Sequence, residues 1–168
     1  MAEVFRGEFY QKVDSKARVS IPAVMRRILE AEDPPSAEST RPRVYMVYGG
    51  ETRNFVECYS RKGADALAEM IDRMEWGSDA RDATEFEMIA QSHQVEIEPD
   101  GRVVLPADIR AKMGFGPSDL ASGGEALFVG FNNRFKLYRR EVYQAGRKAA
   151  VSDGMDPLRR ISLALKGQ

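Results

Sequence analysis

Positions 9–13 begin and end on apolar side chains, Phe9 and Val13, with polar ones between, and after a polar turn at 14–18 a short apolar run covers 19–21. This pattern predicts two strands joined by a tight turn. Pro22 then opens a helix running to Leu29, because proline suits the first helical position. The same succession returns past the middle of the chain. Val95 leads to a turn containing Gly101, an apolar run covers 103–105, Pro106 opens a helix to Met113, and Gly114 marks its stop. Each half continues into a predicted hairpin, one built from 46–49 and 55–59, the other from 127–130 and 135–138 around the turn Phe131-Asn-Asn-Arg134.

The correspondence keeps register: Arg18 and Arg102, Pro22 and Pro106, Ala23 and Ala107, and Arg26 and Arg110 are all 84 positions apart. Each copy has an acidic residue (Asp14, Glu98), a turn tripeptide, an arginine, an apolar run and a helix-opening proline. Two diverged copies, each too small to bury much apolar surface alone, are expected to pack as an internal pseudo-dimer around one core.

Between the copies, Leu67, Met70, Ile71 and Met74 fall at i, i+3, i+4 and i+7, predicting an amphipathic helix over 63–76 whose methionines fill the core. Ser78 is placed to cap a second helix over 79–92, with Phe86, Ile89 and Ala90 sharing a face and Arg81, Asp82, Glu85 and Glu87 solvated. Positions 33–42 hold three prolines and three hydroxyl residues and read as an exposed loop without chemistry. From Glu141 the chain is basic and helix-compatible, then broken at 152–157, leaving a short apolar-basic segment at 158–165.

The charge balance narrows the chemistry. With 25 basic and 26 acidic side chains in 168 residues, the chain does not coat nucleic acid by bulk charge, so a polyanion site has to be local. No apolar run approaches the roughly 20 residues that span a bilayer, and the N-terminal residues lack a signal-peptide core, which together predict a cytoplasmic protein. Cys58 falls in an apolar alternation and is expected to be a buried, inert thiol. One cysteine and one histidine, His93 at the end of the bridging helix, do not supply a metal site, and no phosphate-cradling glycine loop is present. The carboxylates at 72, 79, 82, 85 and 87 read as surface pairing on helices, so neither catalysis nor a cofactor is expected.

The repeated arginine is the feature open to function. A strand-joining turn puts Lys16 and Arg18 outside the core, and the repeat presents Arg102 in a matching position. An arginine fork bonds two acceptors on a guanine edge or clamps a phosphate, while lysine acts as a point charge. Asp14 would then orient Arg18, and Glu98 or Asp100 would orient Arg102. Lys12 is the strongest of the additional basic candidates, ahead of Arg6, Arg26 and Arg27. The structural alternative is that each acidic residue merely closes its turn through a surface ion pair worth about 0 to 1 kcal/mol.

Phe5-Arg-Gly7, the segment from Val13 to Pro22 containing Asp14-Ser-Lys-Ala-Arg18, the second Gly101-Arg-Val-Val-Leu-Pro106, and Gly130-Phe-Asn-Asn-Arg-Phe-Lys-Leu-Tyr138 strongly resemble MraZ proteins over roughly residues 5 to 145. The resemblance implies an α+β, mainly β fold: two tandem AbrB-like swapped-hairpin units forming a pseudo-two-fold barrel, with short helices and a bridging helical pair. The units are expected over 5–62 and 93–145, the bridging helices over 63–92, and a tail over 146–168, read as either flexible or docked on another subunit. The function implied is a bacterial, nucleoid-associated transcription factor. It would assemble as a ring-shaped homo-oligomer, bind direct repeats in double-stranded DNA at the head of the division and cell wall gene cluster, and repress that operon, its own. Carried over by position, the DNA contacts are Arg18, Lys16 and Arg102, with the acidic motif residues orienting them. Two departures stand out: Ala17 occupies the place of the usual glycine, and Glu98 the place of the usual aspartate. The rival reading is an oligomeric protein-binding scaffold that uses the same arginines for subunit contacts.

Overall fold

In a computed structural model describing residues 3–147 and 154–167, the alternating segments form eight strands. The first half supplies β1 (Glu8–Val13), β2 (Arg18–Ser20), β3 (Arg43–Val47) and β4 (Val56–Tyr59), with helix α1 (Ala23–Ala31) between β2 and β3. Helices α2 (Arg61–Asp72) and α3 (Asp79–Glu85) and a π-helical turn, Phe86–Ala90, lead into the second half. There β5 (Ser92–Glu96), β6 (Arg102–Val104), α4 (Ala107–Met113), β7 (Gly124–Phe131) and β8 (Arg134–Arg139) repeat the order of the first, with one added helix, α5 (Pro117–Ser122), before β7. Helices α6 (Arg140–Gly146) and α7 (Pro157–Leu165) follow.

All eight strands pair antiparallel in one sheet, ordered β5-β3-β4-β8-β7-β1-β2-β6. The end strands β5 and β6 are consecutive in the chain and touch, so the sheet nearly closes into a barrel. The halves interleave: β1 pairs with β7, β3 with β5, β2 with β6 and β4 with β8. A pseudo-two-fold axis passes where Val19 faces Val103, and again where Glu57 faces Lys136. One core results. Phe5, Phe128 and Phe135 meet in it at ring separations of 5.2 and 5.8 Å. Met25 and Leu29 of α1 and Ile109 and Met113 of α4 join them fully buried, as the i, i+4 spacing of each pair requires. Gly114, at φ +85°, ends α4 as the sequence predicts.

The bridging segment departs from expectation. Its first helix stops at Asp72, and Met70 is 61% exposed; of the predicted face only Ile71 is fully buried. The second helix ends at Glu85, and the π-turn, closed by Gln91 N–H donating to the Phe86 carbonyl, swings the chain into β5. His93 therefore lies in a strand rather than at a helix end, stacked on Tyr48 and 3.0 Å from Asp108. Arg81, expected in water, is buried. Its guanidinium folds back to donate to the Asp72 and Met74 carbonyls at 3.2 and 3.1 Å and lies over the Trp76 ring. The tail segments at 148–153 and 168 fall outside the described residues. No helix among the described residues is long and apolar enough to cross a membrane, and no three metal-ligating side chains gather among them.

The loop read as featureless begins with a buried anchor. Asp33 accepts from Arg43 N–H at 2.9 Å, Nε at 2.8 Å and Nη2 at 2.8 Å, with both side chains out of water. The Arg43 hydrogen bonds hold the Asp33 carboxyl below its ordinary pKa. Its contribution to stability is therefore complete above the ordinary value of 3.8 and is lost as pH falls through the lower folded-state value. Asp33→Asn strands the Arg43 charge and is expected to lower the unfolding free energy by about 3 to 5 kcal/mol. Urea denaturation at pH 7 checks this; a loss below about 1 kcal/mol, the scale of an exposed pair, would mean the guanidinium reaches water.

Candidate nucleic-acid interface

The two turns are built alike in the backbone. Asp14 N–H donates to the Arg18 carbonyl at 3.0 Å and Ala17 N–H to the Asp14 carbonyl at 2.9 Å; Glu98, Arg102 and Gly101 repeat both bonds at 2.9 and 2.8 Å. The residue before each arginine is left-handed, Ala17 at φ +62° and Gly101 at φ +83°. Ala17 thus keeps the glycine-like conformation despite its methyl, which is buried. Each left-handed residue then offers its carbonyl to the other half: Ile21 N–H donates to Gly101 at 3.0 Å, and Leu105 N–H to Ala17 at 2.9 Å.

Strands β2 and β6 form a ribbon in which Arg18 faces Val104, Val19 faces Val103 and Ser20 faces Arg102. Side chains alternate across a strand. The two valines point inward and are fully buried, so Arg18, Ser20, Arg102 and Val104 share the outer face. The structure thereby brings Arg18 and Arg102 together. Asp14 lies between them, its Oδ2 2.7 Å from Arg18 Nε and 3.8 Å from Arg102 Nη1. Asp14 Oδ1 also accepts from the backbone of Arg18 at 2.8 Å and of Lys16 at 3.0 Å. The Arg18 backbone bond does most to hold the Asp14 carboxyl below its ordinary pKa, keeping it anionic.

The second turn differs in its side chains. Asp100 takes Arg102, accepting from Nε at 2.7 Å and from the backbone at 3.1 Å, and this pairing lowers the Asp100 pKa and raises that of Arg102. Glu98 closes the turn through its backbone and acts on Arg102 only as a nearby charge. A glutamate is one methylene too long to fold back onto the amides that Asp14 reaches. Lys16 and Asp100 occupy equivalent positions, so the first turn is net cationic and the second net anionic. In both arginines Nε faces the carboxylate, and neither Nη group is within hydrogen-bonding distance of another described side chain.

Lys16 is exposed at the tip of its turn. Lys12 is exposed on β1 opposite Glu125 of β7, and no ion pair among the described residues joins it to the arginine cluster. Sequence reasoning passed over Ser20 and Val104, although strict alternation from Arg18 and Arg102 would have placed both on the outer face. Arg26, an additional basic candidate from the sequence, packs its guanidinium against Gly101 of the second turn, where a Cβ would collide with it.

The turns predict an asymmetric response. Gly101→Ala forces a side chain into left-handed backbone and against Arg26, and is expected to destabilise by about 1 to 2 kcal/mol. Ala17→Gly relieves similar strain but forfeits a buried methyl worth about 0.8 kcal/mol, so it should stay within about 1 kcal/mol of neutral. Thermal unfolding of the two variants compares them directly; equal effects would mean the turns are not held in the same conformation.

No family model matches the chain. Relatives are nevertheless plain. The transcriptional regulator MraZ of Cereibacter sphaeroides (strain ATCC 17025) is 44% identical over 145 residues, covering 86% of this chain and 85% of that protein. The protein of the same name from Ruegeria pomeroyi is 37% identical over 158 residues, covering 94% and 90%. That from Rhodospirillum rubrum is 30% identical over 156 residues, covering 89% and 91%. With its duplicated barrel and paired arginine turns, the chain belongs to the MraZ family of transcriptional regulators.

Proposed function

We propose that this protein is a sequence-specific DNA-binding repressor that reads the major groove with the β2–β6 ribbon. The observation that carries the reading is the shared outer face of Arg18, Ser20, Arg102 and Val104. The major groove is about 12 Å wide and admits a two-stranded ribbon. Arg18 and Arg102, each oriented through Nε by a carboxylate, turn their Nη groups to guanine O6 and N7 or to phosphate. Lys16 contacts the backbone as a point charge, and Val104 suits a thymine methyl. Asp100 repels phosphate beside Arg102, so the first turn supplies most of the affinity. Lys12 has a secondary part at the edge.

A near-neutral chain with one small cationic turn binds weakly alone. Several copies linked in a ring, engaging successive direct repeats upstream of the protein's own operon at the head of the division and cell wall genes, gain effective concentration instead. The protein then works in the cytoplasm at the nucleoid.

Fluorescence anisotropy against DNA from immediately upstream of the gene, with a scrambled duplex and a salt series, tests this. Tight binding to the first duplex alone, weakening with salt, is the expected result. Arg18→Ala is expected to cost about 1 to 3 kcal/mol, roughly five- to 150-fold in Kd, and to relax discrimination. Lys16→Ala is expected to weaken both duplexes alike and reduce the salt slope by about 1. Equal weak binding to both duplexes, unaltered by Arg18→Ala, would sink the reading and leave the arginines as assembly contacts.

A further inference from the structure

The exposed apolar side chains of the bridging segment are not scattered. A groove of about 340 Å³ runs between α2 and the π-turn, floored by Tyr45, Val47 and Tyr59 and walled by Leu67 and Ile89. Met70, Trp76 and Phe86 of the same segment stand mostly in solvent, Trp76 at 84% exposure. The surrounding surface is acidic: from 61 to 91 the chain carries eight carboxylates against four basic side chains. Asp65 lies on the groove wall itself.

Helix α7 has the complementary character. Leu158, Ile161 and Leu165 fall at i, i+3 and i+7, forming one stripe, and all three are exposed. Arg159 and Lys166 flank the stripe, and the helix contains no acidic residue. An amphipathic helix of this kind seats its stripe in an apolar groove, with specificity set by the charges at the rim. The tail leaves the barrel from a different pair of strands than the pair that carries its own groove. Helix α6 packs on β7 and β8, while α2 packs on β3 and β4, the strands related to these by the pseudo-two-fold.

We infer that α7 of one copy lies in the α2/π-turn groove of a second copy, its cations against the acidic rim. Each chain then both donates a helix and accepts one. Such a head-to-tail contact closes into a ring when the rotation allows, so this inference rests on the self-assembly proposed above and gives it a contact surface.

Two measurements on the full chain test it. Ile89→Cys and Ile161→Cys are placed in separate, differently tagged chains, co-expressed and mildly oxidised; Cys58 is buried and stays out of the reaction. A disulfide between the two tagged chains is expected, with little cross-linking when either variant is expressed alone. In parallel, light scattering after size exclusion should find that Ile161→Asp and Ile89→Asp each reduce the assembly toward the 18.8 kDa single chain, with far-UV circular dichroism unchanged. An assembly that survives both substitutions without the mixed link would overturn the interface while leaving self-assembly intact. Wild-type chain that is monomeric at every concentration would overturn both. A chain carrying both cysteines that links internally as a monomer would show that α7 occupies its own groove, again against the inference.

Discussion

The exchange of two backbone hydrogen bonds holds the rest of the molecule in place. Ala17 and Gly101 each turn left-handed and present a carbonyl to the residue ahead of the other half's proline, Leu105 and Ile21 respectively. That single geometry brings β2 against β6, buries Val19 against Val103 on the axis and throws both arginines to the outside. It also starts α1 and α4 from matching points, so that their apolar faces close on one core. A left-handed residue costs a side-chain-bearing position roughly 1 to 2 kcal/mol. The buried methyl of Ala17 offsets part of that strain, which is how alanine persists where its counterpart is glycine.

Much of this was legible in the chain because the repeat carries its own register. Arg18 to Arg102 and Pro22 to Pro106 keep one spacing, and the strand alternation within each copy gives the inward valines and outward arginines. The bridging segment was not legible in the same way. Periodicity at 67, 70, 71 and 74, or at 86, 89 and 90, says which residues share a face, but not whether anything covers that face, and here Met70 of the first and Phe86 of the second are left in water. The π-turn was hidden because one extra residue in a helix changes its phase without changing its composition. Arg81 was hidden because a long side chain can fold back onto carbonyls that periodicity places elsewhere.

The site shows the same division. Motif spacing located the arginines, but carboxylate reach decided which acid aims each one, and a sequence does not display reach. Asp14 is short enough to accept from two amides and Nε at once. Glu98 is not, and Asp100, two residues before the arginine, takes the role through a tighter local loop. The consequence is electrical: equivalent positions hold Lys16 in one turn and Asp100 in the other. Two turns with one backbone therefore present opposite net charge on one face.

That inequality is something a symmetric dimer of identical units cannot have. On a true two-fold axis each side chain faces its own copy, and like charges directly opposite each other in a sheet are destabilising. Joining the copies in one chain removes the constraint. Where the axis crosses β4 and β8, Glu57 faces Lys136. Burial pushes the Glu57 carboxyl up, but bonds from Tyr59 at 2.5 Å, Arg53 at 2.7 Å and Arg134 at 3.0 Å outweigh it and keep the group below its ordinary pKa. Lys136, its ammonium 4.1 Å from the Phe131 ring centroid and 4.3 Å from that of Phe55, is lowered by burial. A glutamate facing a glutamate at that depth would leave two carboxylates competing for the same donors. The fused repeat instead places an acid and a base at one crossing of the axis, and a cationic and an anionic turn near the other. The fold keeps its two-fold backbone while its surface is free to bind an asymmetric ligand.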